Sequence, residues 1–361
     1  MAYAELLAVD QSRYPGLQPV LNMHLLANKK AYFGVAPFNL TAPTECRTEL
    51  VDLKVGGAAR ALPERGTYFT GVLGKSGPIQ VRLEQDKGKV VGEYFYEKYG
   101  PPIQLEGSAS GQQVVLKELI KEKPKATLRF TKGSTGWFGE WKSLDGKKRF
   151  PLRLNLVATE RFIEHSGPLE AHVQTCYPVL KGKAGARFNV LLASAYNHNY
   201  REAIKGFEEE FKDEDVDEEL LTRYRSESSA TIYYFSDDLI SVRETNWWYW
   251  GGAHGIFSHG GFNYWWQNGK VKKLELSDLF DSRKNWRPSV GHYLRRSLTR
   301  KEPKPVLPKT DTEAVETAFT FSPAGVEFHY PYYMFHARVL VPYTVLRPFL
   351  NKTGPLARWA K

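Results

Sequence analysis

The most unusual run in this 361-residue sequence is Trp247-Trp248-Tyr249-Trp250-Gly251-Gly252-Ala253-His254-Gly255. Aromatic residues on successive strand positions point to both faces, so one face can be buried while the other stays open. The glycines let the backbone take a positive φ or approach another chain closely, and the imidazole of His254 can fix a tight loop. An open row of Trp and Tyr stacks on sugar rings or anchors a protein partner; the same residues can equally form a packed hairpin end. The second candidate is Tyr330-Pro331-Tyr332-Tyr333-Met334-Phe335-His336. Pro331 interrupts strand pairing, and tyrosines on a rigid loop recognise proteins at low conformational cost. Its alternative is a set of rings covering core between a hairpin and the last strand.

Other residues with the right types have the wrong spacing. His254 and His259 are not the helical pair of a zinc protease, and no neighbouring carboxylate completes a ligand set. Asp213, Asp215 and Asp217 imitate the start of a calcium loop, but Glu218 stands where that loop needs Gly and Tyr224 where it needs Glu. Ser258-His259 and Cys176 lack identifiable triad partners. There is no GxSxG, no phosphate-cradling glycine loop and no paired-carboxylate motif. The sequence therefore assigns no catalytic residue, no metal and no cofactor, and it leaves an enzymatic role unsupported rather than disproved.

The elements that position these residues follow from periodicity. Residues 1–63 form an N-terminal segment with weak signals. From residue 64 to 156, short period-2 segments recur every 10–14 residues: Tyr68–Gly71, Ile79–Leu83, Val90–Tyr96, Ile103–Leu105, Val114–Leu116, Ala126–Phe130, Trp137–Trp141 and Leu152–Leu156. They are separated by turn residues with no amphipathic helix between them, which predicts an antiparallel β-rich module. Residues 157–352 mix the two periods. Phe188, Leu191, Leu192, Ala195, Tyr196, Ile204, Phe207 and Phe211 predict a helix over 186–212, and Trp286, Val290, Leu294 and Leu298 predict another over 283–300. Strands are expected at His172–Leu180, Ala230–Phe235, Leu239–Trp250 and on either side of the Asn268-Gly269 hairpin turn. The expected class is α+β: the β-rich module, then an α+β domain with a mixed or antiparallel sheet and two main helices, then a tail over 353–361.

Composition bounds the partners. Fifty Lys and Arg against 40 Asp and Glu give a net charge of +10, yet nine of the twelve positions from Glu208 to Glu219 are acidic. The basic residues lie in short clusters such as Lys121–Lys125 and Lys147–Arg149, which reads as a solvated basic surface and not as a nucleic-acid groove. No stretch approaches the roughly 18 apolar residues of a membrane-spanning helix. The two cysteines, Cys46 and Cys176, exclude a zinc cluster and leave a single disulfide or two buried thiols open. The first residues carry neither a basic start nor an apolar signal core, as expected of a cytoplasmic protein or of a mature form without its signal peptide.

Between about 170 and 350 an ordered series of segments resembles the extracytoplasmic domain family typified by the anti-sigma factor RsiV. It comprises Tyr177-Pro178-Val179-Leu180, the Asn189-containing helix, Leu239-Ile240-Ser241-Val242, Gly251-Gly252-Ala253-His254-Gly255, and Asn268-Gly269-Lys270 with Leu274–Phe280. Phe319–Phe328, the Tyr330–Tyr333 loop and Val339–Tyr343 close it. The resemblance implies an extracytoplasmic or periplasmic bacterial protein that binds lysozyme-type muramidases, partly through the Pro-Tyr loop. Carried over, Pro331, Tyr332 and Tyr333 become contact residues for the muramidase cleft, with Tyr330, Trp247, Trp248, Trp250 and His254 beside them. The expected function is inhibition of a lysozyme-like peptidoglycan hydrolase, as a lysozyme inhibitor or an immunity protein to a secreted muramidase toxin. The alternative is a peptidoglycan- or polysaccharide-binding module.

Overall fold

A computed structural model describes residues 60–62, 66–166, 172–210, 224–249, 255–300, 308–330 and 337–360. The eight period-2 segments correspond to strands β2 (Gly66–Leu73), β3 (Pro78–Asp86), β4 (Lys89–Tyr96), β5 (Tyr99–Ser110), β6 (Gln113–Ile120), β7 (Lys123–Lys132), β8 (Gly136–Ser143) and β9 (Arg149–Ser166). Each pairs antiparallel with the next, and β9 pairs with both β8 and β2, so the sheet closes into an eight-stranded up-and-down barrel. Closure leaves no free edge around the ring. Side chains fill the interior: Phe69 and Phe130 lie 4.8 and 5.8 Å from the Trp137 ring. The buried Glu118 carboxylate accepts bonds from the Tyr94 hydroxyl and the Trp141 indole, both at 2.7 Å. The barrel is thus a packed core and not a container.

Strand β9 is 18 residues long and does not stop at the barrel. Its second half pairs with β1 (Arg60–Leu62) on one side and β10 (His172–Leu180) on the other. From β10 a second sheet continues through β11 (Arg225–Phe235), β12 (Leu239–Tyr249), β13 (Ile256–Gln267) and β14 (Lys270–Lys273). Among the described strands only β10 and β11 run parallel, and between them in the chain lies helix α1 (Gly182–Glu210), the crossover a parallel pair needs. Phe188, Leu192, Tyr196 and Tyr200 recur at four-residue spacing on α1 and are buried. The Tyr196 ring stacks on Tyr177 of β10 at 5.5 Å. The Asn189 side chain bonds both backbone groups of Leu180 at 2.8 Å, fixing the helix start to the strand end.

A three-stranded antiparallel sheet, β15 (Ala318–Ser322), β16 (Gly325–Tyr330) and β17 (Ala337–Pro342), packs on the second sheet. Asn263 of β13 donates to the Phe319 carbonyl at 2.8 Å, and the Ser241 hydroxyl accepts from the Phe321 amide at 2.9 Å. Helix α2 (Arg287–Leu298) closes this core with Val290, Leu294 and Leu298 against Phe321, Phe328 and Val341. Residues 353–360 pack here as well, with Trp359 stacked on Tyr343 at 5.2 Å.

The expected α+β class is corrected. Strands hold 57% of the described residues and helices are few, so the molecule is mostly β: a closed barrel plus further strands. Periodicity located the strands, but it carries no information on which strand closes against which. Nor does it show that β9 runs through the expected 156/157 boundary into the next sheet.

Candidate functional site

Of the residues singled out in the sequence, Trp250, His254, Pro331, Tyr332, Tyr333 and Cys46 lie outside the described residues. Trp247 lies near the end of β12 opposite Phe257 and is buried, stacked along Tyr249 at 6.3 Å. Its indole lies where a side chain at Gly255 would be: a Cβ there would stand 2.3 Å from Nε1. Trp247 is therefore packed into the hairpin end, its indole folded onto the backbone at Gly255. Trp248, on the opposite face, is half-buried and pairs with Ile256. Tyr330 is also buried, and its hydroxyl donates to the Ala314 carbonyl at 2.5 Å. Burial pushes this phenol well above its ordinary pKa. It anchors the hairpin end. Across the ladder it pairs with Ala337, which packs against the same core.

The structure assembles a site that no motif announced. A cleft of about 420 Å³ lies between the outer wall of β2–β5 and the β11, β15–β16 turn and β17 surfaces. On the barrel side Arg82 pairs with Glu84, and Gln104 donates to Glu93 at 3.1 Å. On the other side the Tyr233 hydroxyl accepts from Arg243 and from Arg338, each at 3.0 Å, while Arg338 also lies 3.9 Å from Glu327. Burial, reinforced by Arg338, lowers the Arg243 guanidinium to about 10. Arg338 itself is exposed, so its guanidinium is held in place yet reachable from solvent.

Below the cleft floor sits Glu160 of β9, almost fully buried. It accepts from the Tyr68 hydroxyl at 2.9 Å, and its Oε2 lies 3.6 Å from the Cys176 sulfur. Burial pushes this carboxyl up to about 7, against the lowering pull of Arg82. Gly66 makes room for it, because a Cβ there would stand 2.2 Å from the carboxyl carbon. Cys176 is disulfide-bonded, and the one other cysteine in the sequence, Cys46, is outside the described residues. Among the described residues no group of three His, Cys, Asp or Glu side chains could hold a metal ion. The cleft groups offer positioned donors and acceptors beside the aromatic walls of Phe95 and Tyr233, the equipment of a recognition site. Sequence reasoning missed them because Arg82, Tyr233 and Arg338 come from segments more than 100 residues apart, each an ordinary polar residue in an alternating strand.

Fold and cleft together define a β-rich protein in which a filled barrel is fused through one strand to a helix-backed mixed sheet. No family model matches the chain, and no curated protein matches it. Among solved structures it is similar to a DUF3298 family protein from Pseudomonas aeruginosa PAO1, with 18% identity and a TM-score of 0.36 over 52% of this chain and 91% of that one. It is also similar to a DUF3298 family member from Bacteroides fragilis NCTC 9343, with 16% identity and a TM-score of 0.36 over 53% of this chain and 88% of that one. No helix among the described residues is long and apolar enough to cross a membrane.

Proposed function

We propose that this chain is a non-enzymatic periplasmic or extracytoplasmic binding protein that blocks a lysozyme-like peptidoglycan hydrolase. The observation that carries this reading is the stem of the Pro-Tyr loop. Tyr330 and Ala337 pair with each other and are both seated in the core, so the residues between them leave a fixed base. A contact segment whose two ends are already fixed in the fold loses less freedom on binding than a free chain does, which favours binding without chemistry. In this reading Pro331, Tyr332 and Tyr333 fill sugar subsites of the muramidase and exclude substrate. The disulfide at Cys176 supports an oxidising compartment. A chain of net charge +10 repels a basic muramidase at long range. The target is therefore acidic, or the Glu208–Glu219 tract meets it.

The cleft favours a second reading, a peptidoglycan- or polysaccharide-binding module, since Arg338, Glu93 and Gln104 beside Phe95 suit a carboxylated sugar. One experiment separates the two: turnover of purified peptidoglycan by a panel of lysozyme-family enzymes, with and without this protein, at low and physiological salt. Stoichiometric inhibition of one member that survives salt, and that is abolished in the Tyr332→Ala, Tyr333→Ala double variant, supports the inhibitor. Absence of inhibition, with the protein pelleting alongside the wall material, replaces it by the second reading.

A further inference from the structure

One end of the barrel carries a feature that the inhibitor reading does not use. Between residues 66 and 157 the sequence holds sixteen Lys and Arg against nine Asp and Glu, so most of the chain's excess positive charge belongs to the barrel. Two basic clusters that are separate in sequence converge there. The β6–β7 turn and the β8–β9 turn lie side by side, because Ala126 pairs with Ser143 and the Leu144 amide donates to the Lys125 carbonyl at 3.2 Å. This brings Lys121, Lys123 and Lys125 next to Lys147, Lys148 and Arg149, all exposed, with Glu122 and Asp145 as the acids of the two turns.

The same two turns present large apolar side chains to solvent. Leu144 is 61% exposed and Ile120 44% exposed. The apolar character continues up the wall to Phe138, 47% exposed with the Arg153 guanidinium 5.2 Å above its ring. The geometry of the β6–β7 turn is also unusual, since Lys121 and Glu122 both have positive φ, 51° and 62°, with no glycine to ease it. A cationic ring around protruding aliphatic tips complements a bilayer surface, where anionic headgroups attract the lysines and the acyl boundary receives the apolar tips. A purely polyanionic partner would find no use for Ile120 and Leu144.

We infer that this end of the barrel is a peripheral docking surface for a membrane bearing anionic phospholipids. Lys121, Lys123, Lys125, Lys147, Lys148 and Arg149 contact the headgroups, and Ile120 and Leu144 enter the interface.

The test is co-sedimentation of the full chain with phosphatidylcholine vesicles made with and without phosphatidylglycerol. Retention on heparin serves as a soluble-polyanion control, and thermal melting confirms that each variant is folded. The protein binds only the anionic vesicles, and binding falls with added salt. The Lys123→Glu, Lys147→Glu variant weakens vesicle binding by more than about tenfold. The Ile120→Ser, Leu144→Ser variant weakens it by about fivefold or more while leaving heparin retention unchanged. Failure to bind anionic vesicles overturns the inference. Vesicle binding that ignores the Ile120 and Leu144 changes also overturns it, and assigns the surface to soluble polyanions such as nucleic acid or an anionic glycan.

Discussion

Glu160 sits where the chain leaves the barrel for the second sheet, and its environment makes the joint sensitive to pH. Burial raises its carboxyl from the ordinary 4.5 to about 7. Between these two values the unfolded chain has released a proton that the folded one still holds. Stability present below pH 4.5 is therefore lost as the pH rises to about 7, after which the loss levels off. A shift of this size corresponds to roughly 3 kcal/mol. Glu160→Gln keeps an oxygen for the Tyr68 hydroxyl and carries no charge to desolvate. Urea unfolding at pH 5 and pH 8 should show the parent losing stability between the two, while the variant loses markedly less; equal losses would mean that Glu160 is ionised in the fold. None of this is legible in the sequence. Glu160 reads as one more charged residue in Thr159-Glu160-Arg161, and only the β9–β10 pairing and the missing side chain at Gly66 make it a buried group. The same holds for Tyr233, whose two guanidinium donors arrive from β12 and β17.

Among the elements, hairpin turns were the most legible because they are local. Asn268-Gly269 announced its turn, and its residues take φ values of 52° and 78°. Lys121-Glu122 adopts the same hand without announcing it, since neither residue favours positive φ. Replacing the pair by Asn-Gly relieves that strain. Lys121→Asn, Glu122→Gly should raise the stability of the chain by about 1 kcal/mol, read as an increase in the urea midpoint at unchanged slope. An unchanged or lowered midpoint would show that the flanking strands impose no strain there. Strand β9 marks the limit of such local reading. Its period-2 pattern was visible at Leu152–Leu156, but its continuation through Thr159–Ser166 is half-hidden. The residues there include Glu160, Arg161 and Glu164, which look like a linker and are in fact strand: all three pair with β10, and Glu164 pairs with β1 as well. Aromatic runs show the limit from the other side: hydrophobic spacing cannot tell a ring that faces solvent from one folded onto the backbone, and the structure folds Trp247 onto Gly255.

At the scale of the molecule, β9 makes the barrel and the second sheet one cooperative unit. Domains joined by a flexible linker unfold independently unless their interface is large and apolar. Here the connection is a strand whose first half closes the barrel through β8 and β2 and whose second half pairs with β10. The joint is reinforced at its far end. The Gln80 side chain bonds both backbone groups of Phe235, at 2.7 and 3.1 Å. Arg358 reaches both oxygens of Asp238 at 2.8 Å, beside Trp359, whose ring meets Tyr234 edge-on at 4.9 Å. Opening the barrel frees one partner of every β9 pairing, and the second sheet then loses an edge. Leu154→Ala tests this. Leu154 is fully buried in the barrel, more than 100 residues from α2 and the C-terminal core, and its truncation costs about 3 kcal/mol. If the molecule is one unit, calorimetry of the parent gives a single transition and the variant shifts all of it. Barrel tryptophans such as Trp137 and those of the second core such as Trp286 then melt together. A variant in which part of the heat absorption stays at the parent temperature would mean that β9 frays at Val157 and that the barrel folds on its own.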